Sequence, residues 1–236
     1  MGIAGAHVLI IGGRSGIGRA TAEAALAAGA RVTATGRSAA SLATLPAGVA
    51  GALLDFTDPA SVAALAERVA APDHLVLAAS DAVAWGPFAE VTEQALRAAF
   101  DAKFWGYWRL IRALAPRLPA SGSVTLVTGA AARAALPGTS GLAAVNGALE
   151  AMARVLAAEL APRRVNTVSP GMTDTEAYAG LPAEARAGMF AATAAKLPAG
   201  RIGAPADIAA AILLAAANPF MTGSTLDVDG GAHLPR

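Results

Sequence analysis

A chain of 236 residues suits one large α/β domain, long enough to bury a full core without metal or disulfide help. It holds no cysteine, which excludes disulfides, thiol nucleophiles and thiolate metal sites. The formal net charge is +1 with no basic cluster or stripe, which argues against nucleic acid as a partner.

Hydrophobic residues make up 55% of the chain and aromatics only 5%, so the core must be built from Ala, Leu, Val and Ile. No apolar run reaches about 18 residues without a charge, Gly or Pro, so no membrane span is expected. The first strand follows the N-terminus almost at once and leaves no room for a signal peptide, so a cytoplasmic protein is expected. Sixteen arginines stand against two lysines, Lys103 and Lys196. A lysine that remains inside a buried helix therefore invites a question.

In chain order, strand-like apolar runs alternate with helical patterns. A short buried strand over 7–11 leads to a helix over 16–28, closed by Gly29. Strands follow over 31–35 and 49–54, then a helix from Thr57-Asp58-Pro59 to about 71, where Thr57 or Asp58 can cap and Pro59 suits the first turn. A strand over 74–79 precedes one long helix over 92–118, and a strand over 123–128 precedes another over 139–160. The last elements are a strand over 164–168, a helical stretch over 175–197, a helix over 205–217 and a strand over 224–228. Such alternation means parallel strands joined by right-handed crossovers. The fold class expected is α/β: a single Rossmann-type doubly wound domain, 1–236, with a seven-stranded parallel sheet flanked by helices. Its ligand site belongs at the carboxyl ends of the strands, where strand order reverses.

The first strand runs into Gly12-Gly13-Arg14-Ser15-Gly16-Ile17-Gly18. Gly12 permits the tight turn, Gly16 lets backbone approach a pyrophosphate, and Gly18 allows helix to pack closely on strand. The free N–H groups at the helix start, through Ser15 and Ile17, then face phosphates. The second strand ends Thr35-Gly36-Arg37-Ser38, without the carboxylate that binds a ribose 2′-hydroxyl. Arg37 can offer a planar pair of donors to a 2′-phosphate, and Arg14 can reach it from the loop, so NADP(H) is the expected cofactor. Asp55-Phe56, just after the third strand, would border the adenine.

With these motifs the chain resembles the short-chain dehydrogenase/reductase family over essentially its whole length. Asn166-Thr167-Val168-Ser169-Pro170-Gly171 looks like the family's sixth-strand segment, and 222–231 like its last strand and flank. The resemblance implies cofactor contacts at Ala79, Pro170, Gly171, Thr173 and Thr175, and a tetrameric assembly. It also implies a catalytic Asn, Ser, Tyr and Lys, with Tyr and Lys four apart on one helix. Here Leu142 stands at the tyrosine position, Asn146 at the lysine, Gly129 at the serine with Thr128 beside it, and Lys103 at the asparagine. Lysine and asparagine look exchanged between two helices, which would keep an ammonium and an amide in one cavity. The alternative is plain decay, with Lys103 a snorkelling helix residue. The only tyrosines, Tyr107 and Tyr178, have no lysine four residues on.

The catalytic candidates are Lys103, Asn146 and Thr128. Asp81 and Trp85 would line a substrate pocket, and Thr139 and Ser140 would serve substrate or cap a helix. His7 and His74 read as structural; His233 reads as solvent-exposed or able to reach a neighbouring subunit. Three functions stay open. One is an NADP(H)-dependent reductase of a small carbonyl, imine or related unsaturated substrate. The second is an NADP(H)-binding protein without redox turnover, acting as a sensor or partner subunit. The third is a non-redox cyclase or isomerase. A small-molecule substrate and a homotetramer are the expected partners.

Overall fold

Continuous apolar runs such as His7–Ile11 are what a parallel strand covered on both faces requires. In the computed structural model, which describes residues 2–79 and 84–234, seven such strands form one parallel sheet. They are β1 (His7–Ile11), β2 (Arg31–Gly36), β3 (Ala50–Leu53), β4 (His74–Leu77), β5 (Ser123–Val127), β6 (Arg164–Pro170) and β7 (Thr225–Val228). Their order is β3-β2-β1-β4-β5-β6-β7, so the order reverses between β1 and β4.

Alternate residues of each strand feed two cores. Leu9 and Ile11 of β1, Leu75 and Leu77 of β4 and Leu126 of β5 face α3 (Pro59–Arg68), α5 (Gly106–Leu114) and α6 (Ser140–Glu159). Val8 and Ile10 face the other way, with Val76 and Val168, toward α1 (Gly16–Ala27) and α8 (Pro205–Ala217). Each fully buried Val, Leu or Ile contributes about 1.5–3 kcal/mol relative to exposure. Alanine-rich α1 and α8 present Ala22, Ala25 and Ala216 to this second core, which lets backbones lie close. Among the described residues α6 alone is long and apolar enough to cross a membrane; it packs on β6 and buries Asn146 and Glu150.

Element boundaries follow local chemistry. Asp58 accepts a hydrogen bond from the Ala60 N–H at 2.9 Å and so caps α3, with Pro59 in its first turn. A four-residue helix, α2 (Ala39–Leu42), was not expected; it is capped by reciprocal Ser38–Ser41 contacts. The expected stretch 175–197 splits into a 3₁₀ turn at Glu176–Tyr178 and α7 (Ala183–Ala194). Thr139 does not cap α6: its hydroxyl donates to the Leu136 carbonyl at 2.7 Å.

The expected unbroken helix over 92–118 is also interrupted. It consists of α4 (Glu93–Ala99), a π-helical turn at Phe100–Trp105, α5 and a 3₁₀ turn at Ala115–Arg117. A π turn inserts one extra residue and re-aims the side chains around it. Lys103 lies within that turn.

The polar residues of β6 hold its neighbours. Arg164 donates to the carbonyls of Ala215 and Ala216 at 2.7 and 2.6 Å, closing the C-terminal end of α8 where a cation is favoured. The Asn166 amide donates to the Met221 carbonyl at 2.8 Å and accepts from the Ser224 N–H at 3.1 Å, docking the entry to β7. His74 Nδ1 lies 2.9 Å from Ser123 Oγ, and His7 Nε2 lies 2.9 Å from Thr33 Oγ1. Burial holds both imidazoles below their usual pKa, so these histidines sit as neutral sheet-packing groups.

Candidate active site

The loop between β1 and α1 lies at the point where strand order reverses. Gly12 takes φ +89°, and a Cβ there would stand 2.8 Å from Ala79 Cα at the end of β4. At Gly18 a Cβ would stand 1.7 Å from the Gly12 carbonyl oxygen. Only glycine permits the turn and the helix that leaves it. Ser15 is the N-cap of α1 with no side-chain cap bond, and the first turn holds no acidic residue. The Gly16 N–H instead donates to Glu176 Oε2 at 2.8 Å. A carboxylate on this N–H is a stand-in anion, and it shows that the loop accepts one. Ile17 packs into the core beneath.

Around the loop the other expected cofactor residues take different attitudes. Arg14 and Arg37 are exposed on the loop and just past β2. Asp55 is exposed; hydrogen bonds from the Thr57 hydroxyl (2.6 Å) and N–H (3.0 Å) hold its carboxyl below the usual pKa, with Arg37 adding to the effect. The Phe56 ring does not face outward beside it. It is buried in the core with Tyr107 and Leu110, because an aromatic ring gains more by leaving water. At the end of β6 the Gly171 N–H donates to the Val228 carbonyl at 3.0 Å. Thr173 is buried and its hydroxyl donates to the Gly171 carbonyl at 3.0 Å, which braces the turn after Pro170. The Thr175 side chain does reach the loop, 3.1 Å from where a Gly16 Cβ would stand. An anion-accepting helix start flanked by two exposed arginines, with no acid at the end of β2, fits a dinucleotide carrying a 2′-phosphate.

The second half of the site is assembled from three elements. Lys103 Nζ donates to Asn146 Oδ1 of α6 at 2.8 Å and to the Thr128 carbonyl, after β5, at 3.1 Å. Lys103 is 8% exposed and Asn146 6% exposed, so this ammonium is held almost out of water. Burial pushes its pKa down from 10.5 to about 8, opposed by the nearby Glu150 carboxylate. The Thr128 hydroxyl, read from the sequence as catalytic, points elsewhere: it lies 3.0 Å from Glu150 Oε1 and 3.3 Å from the Val168 carbonyl. What Thr128 gives Lys103 is its main-chain oxygen.

Glu150 was missed in the sequence. A carboxylate in an alanine-rich helix reads as a solvated face, yet Glu150 is 5% exposed. Its signal is spacing, one helical turn beyond Asn146 on the same face. Arg133 approaches its second oxygen at 3.5 Å and also pairs with Asp227.

The remaining candidates lie apart from this cluster. The Tyr107 hydroxyl is fully buried, within 2.8 Å of the carbonyls of both Leu77 and Ala79, and burial pushes its pKa up. It ties off β4 and is not placed to exchange protons. Tyr178 stacks edge-on against Phe190. Trp85 is exposed, and Asp81 lies outside the described residues. His233 is half-buried rather than solvent-exposed, its Nδ1 2.7 Å from Asp229 Oδ2.

The sheet order, the glycine loop at its reversal point and the anion-accepting start of α1 define a nucleotide-binding α/β protein of the doubly wound class. The family model described as enoyl-(acyl carrier protein) reductase matches residues 11–233. The chain is 34% identical to the short-chain dehydrogenase/reductase ATR9 of Stachybotrys chlorohalonatus, covering 98% of each chain. It is 33% identical to the D-erythrulose reductase of Gallus gallus, over 96% of this chain and 95% of that one. Among solved structures it resembles a small-chain dehydrogenase in complex with NADPH, at a TM-score of 0.85 and 38% identity, over 98% of this chain and all of the other. The chain belongs to the short-chain dehydrogenase/reductase family.

Proposed function

We propose that this protein is an atypical NADP(H)-dependent oxidoreductase that reduces a small carbonyl, imine or related unsaturated substrate, with Lys103 as its proton donor. The observation that carries the reading is the buried Lys103–Asn146 pair, 2.8 Å apart, at the end of β5. A buried ammonium with a pKa near 8 is matched to proton transfer near neutral pH. Leu142, where family members carry tyrosine, cannot supply the proton, and the Tyr107 hydroxyl is spent on β4.

The loop from Gly12 to Gly18 would hold the pyrophosphate, and Arg14 and Arg37 the 2′-phosphate; the resemblance to an NADPH-bound dehydrogenase supports this choice. NADPH, when bound, supplies the hydride that the substrate carbon receives. Lys103 gives a proton to the oxygen or nitrogen released by that addition, becomes the neutral amine, and regains its proton from solvent. Asn146 and the Thr128 carbonyl hold Nζ in place, and Glu150 keeps its pKa from falling further.

The whole chain acts as one NADP(H)-binding domain, cytoplasmic, with a small-molecule substrate and no nucleic-acid or membrane partner. The homotetramer is what the family resemblance implies, and an apolar groove of about 250 Å³ between α5 and α6, lined by Trp108, Ile111, Met152, Leu156 and Leu160, is a surface that another copy could cover. The test is a fluorescence titration with NADPH followed by a screen of carbonyls, imines and enones for cofactor oxidation. Turnover that Lys103→Met abolishes supports the reading. NADPH binding with no turnover on any substrate would return the protein to the cofactor-binding class without redox activity.

A further inference from the structure

Lysine has three N–H donors and no acceptor in its ammonium form, so Lys103 must face the oxygen of the Asn146 amide. The 2.8 Å contact therefore fixes which way the amide is turned. Its nitrogen, Nδ2, points to the opposite side, toward Gly129. A Cβ built on Gly129 would lie 2.9 Å from Nδ2. Gly129 has φ 168° and ψ 146°, extended backbone open to any residue, so the glycine serves here because the Asn146 amide packs where a side chain would stand, not for an unusual turn.

Among the described residues nothing accepts from Nδ2. Lys103 spends two of its three protons on Asn146 Oδ1 and the Thr128 carbonyl. The two side chains are each more than nine-tenths buried. Unspent donors on an amide and an ammonium thus converge beside a residue that has no side chain. Neither Asn146 Nδ2 nor Lys103 Nζ is among the fully enclosed side-chain atoms that lack a partner, so Nδ2 is open to an acceptor from beyond the described residues, and a ligand oxygen is such a group.

We propose that Asn146 Nδ2 is the donor that binds the substrate's carbonyl oxygen, with the amide seated against Gly129 and the Lys103 ammonium alongside. The inference rests on the carbonyl-reductase reading and deepens it. Asn146 both orients Lys103 through Oδ1 and grips the reacting oxygen through Nδ2, so one amide serves two partners at once. Negative charge that develops on the oxygen would be met by the amide dipole and the ammonium before the proton moves. A carbonyl substrate fits this arrangement better than an iminium, which brings no acceptor to Nδ2.

The test reads binding without turnover. Protein loaded with NADP⁺ is titrated with [2-¹³C]acetone, [2-¹³C]pyruvate and [1-¹³C]cyclohexanone, and the carbonyl ¹³C resonance is followed. A donor on the oxygen moves that resonance downfield. Asn146→Asp keeps an oxygen for Lys103 but removes the N–H donors, so the shift should fall well below that of the unaltered protein, Lys103 being the one donor left beside the oxygen. Gly129→Ala keeps both side chains but drives the amide back, so the probes should bind about tenfold more weakly. The inference is overturned if no probe shifts with the unaltered protein, or if Asn146→Asp leaves the shift intact. NADPH oxidation without a shift overturns the inference alone; a shift with no carbonyl-dependent NADPH oxidation overturns the reductase reading alone.

Discussion

Lys103 and Asn146 stand 43 positions apart in the chain and 2.8 Å apart in the fold. One comes from a π-helical turn and the other from the middle of α6. Each is the residue that family resemblance places at the other's position. The ammonium and the amide therefore meet in the fold, and a proton-donor assignment becomes testable at a single side chain.

Lys103→Met keeps the side-chain length and removes the ammonium. Turnover of whichever carbonyl the unaltered protein reduces should fall at least about tenfold, in line with the usual contribution of a positioned acid. In the unaltered protein the rate should fall as pH rises through about 8, because the donor is then deprotonated. A pH–rate profile flat across that range would remove Lys103 from the proton step.

The same group should mark stability. Lys103 titrates near 8 when folded against 10.5 as a free side chain. Between those values the unfolded chain binds more protons than the folded one, so stability rises with pH across that window. The rise is on the order of 3 kcal/mol, absent from Lys103→Met. Urea unfolding of both proteins at about pH 7 and about pH 11 gives the difference directly. Parallel curves at the two pH values would mean that the ammonium is not desolvated.

In the proposed function, cofactor choice is assigned to Arg37 and Arg14. NADPH should bind much more tightly than NADH, and Arg37→Asp should reverse or abolish the preference. An arginine–phosphate contact is worth about 1.5–3 kcal/mol, or roughly tenfold to a hundredfold in affinity. Equal dissociation constants for the two cofactors in the unaltered protein contradict the assignment.

Glu176 competes for the glycine loop. Its carboxylate takes the Gly16 N–H at the start of α1, where a pyrophosphate would lie. Glu176→Ala removes this competitor and should tighten NADPH binding roughly fivefold, the worth of about 1 kcal/mol. Unchanged affinity by titration calorimetry would show that the contact gives way at no cost.

The groove between α5 and α6 should be covered by another copy of the chain. Light scattering at micromolar concentration should give the mass of four chains, and Leu156→Glu should lower it, since a charge in an apolar interface goes unpaired. A monomer in the unaltered protein would leave the groove uncovered and contradict the assembly.

Much of the fold was legible in the residues. The strands at 7–11, 123–128 and 164–168 are short apolar runs between turn residues, and the helix at 205–217 begins at a proline and ends at Asn218; both patterns are set by local sterics and burial period. The glycine loop was equally plain, because only glycine tolerates φ +89° at Gly12 and the Gly12–Gly18 approach. The π turn left no such trace, since its side-chain period over six residues is nearly that of an α-helix.

Residue type and spacing by themselves determined the α/β class, the anion-binding loop and the lack of an acid after β2. These depend on backbone conformation and on which groups are present, and both are properties of a short stretch of chain. Only the tertiary structure decided that the Thr128 hydroxyl turns to Glu150, that Thr173 braces its own turn, that Phe56 enters the core and that Lys103 meets Asn146. A side chain's direction and protonation depend on what distant segments bring against it. For Lys103 those segments, the end of β5 and the middle of α6, take the ammonium largely out of water and supply two of its partners.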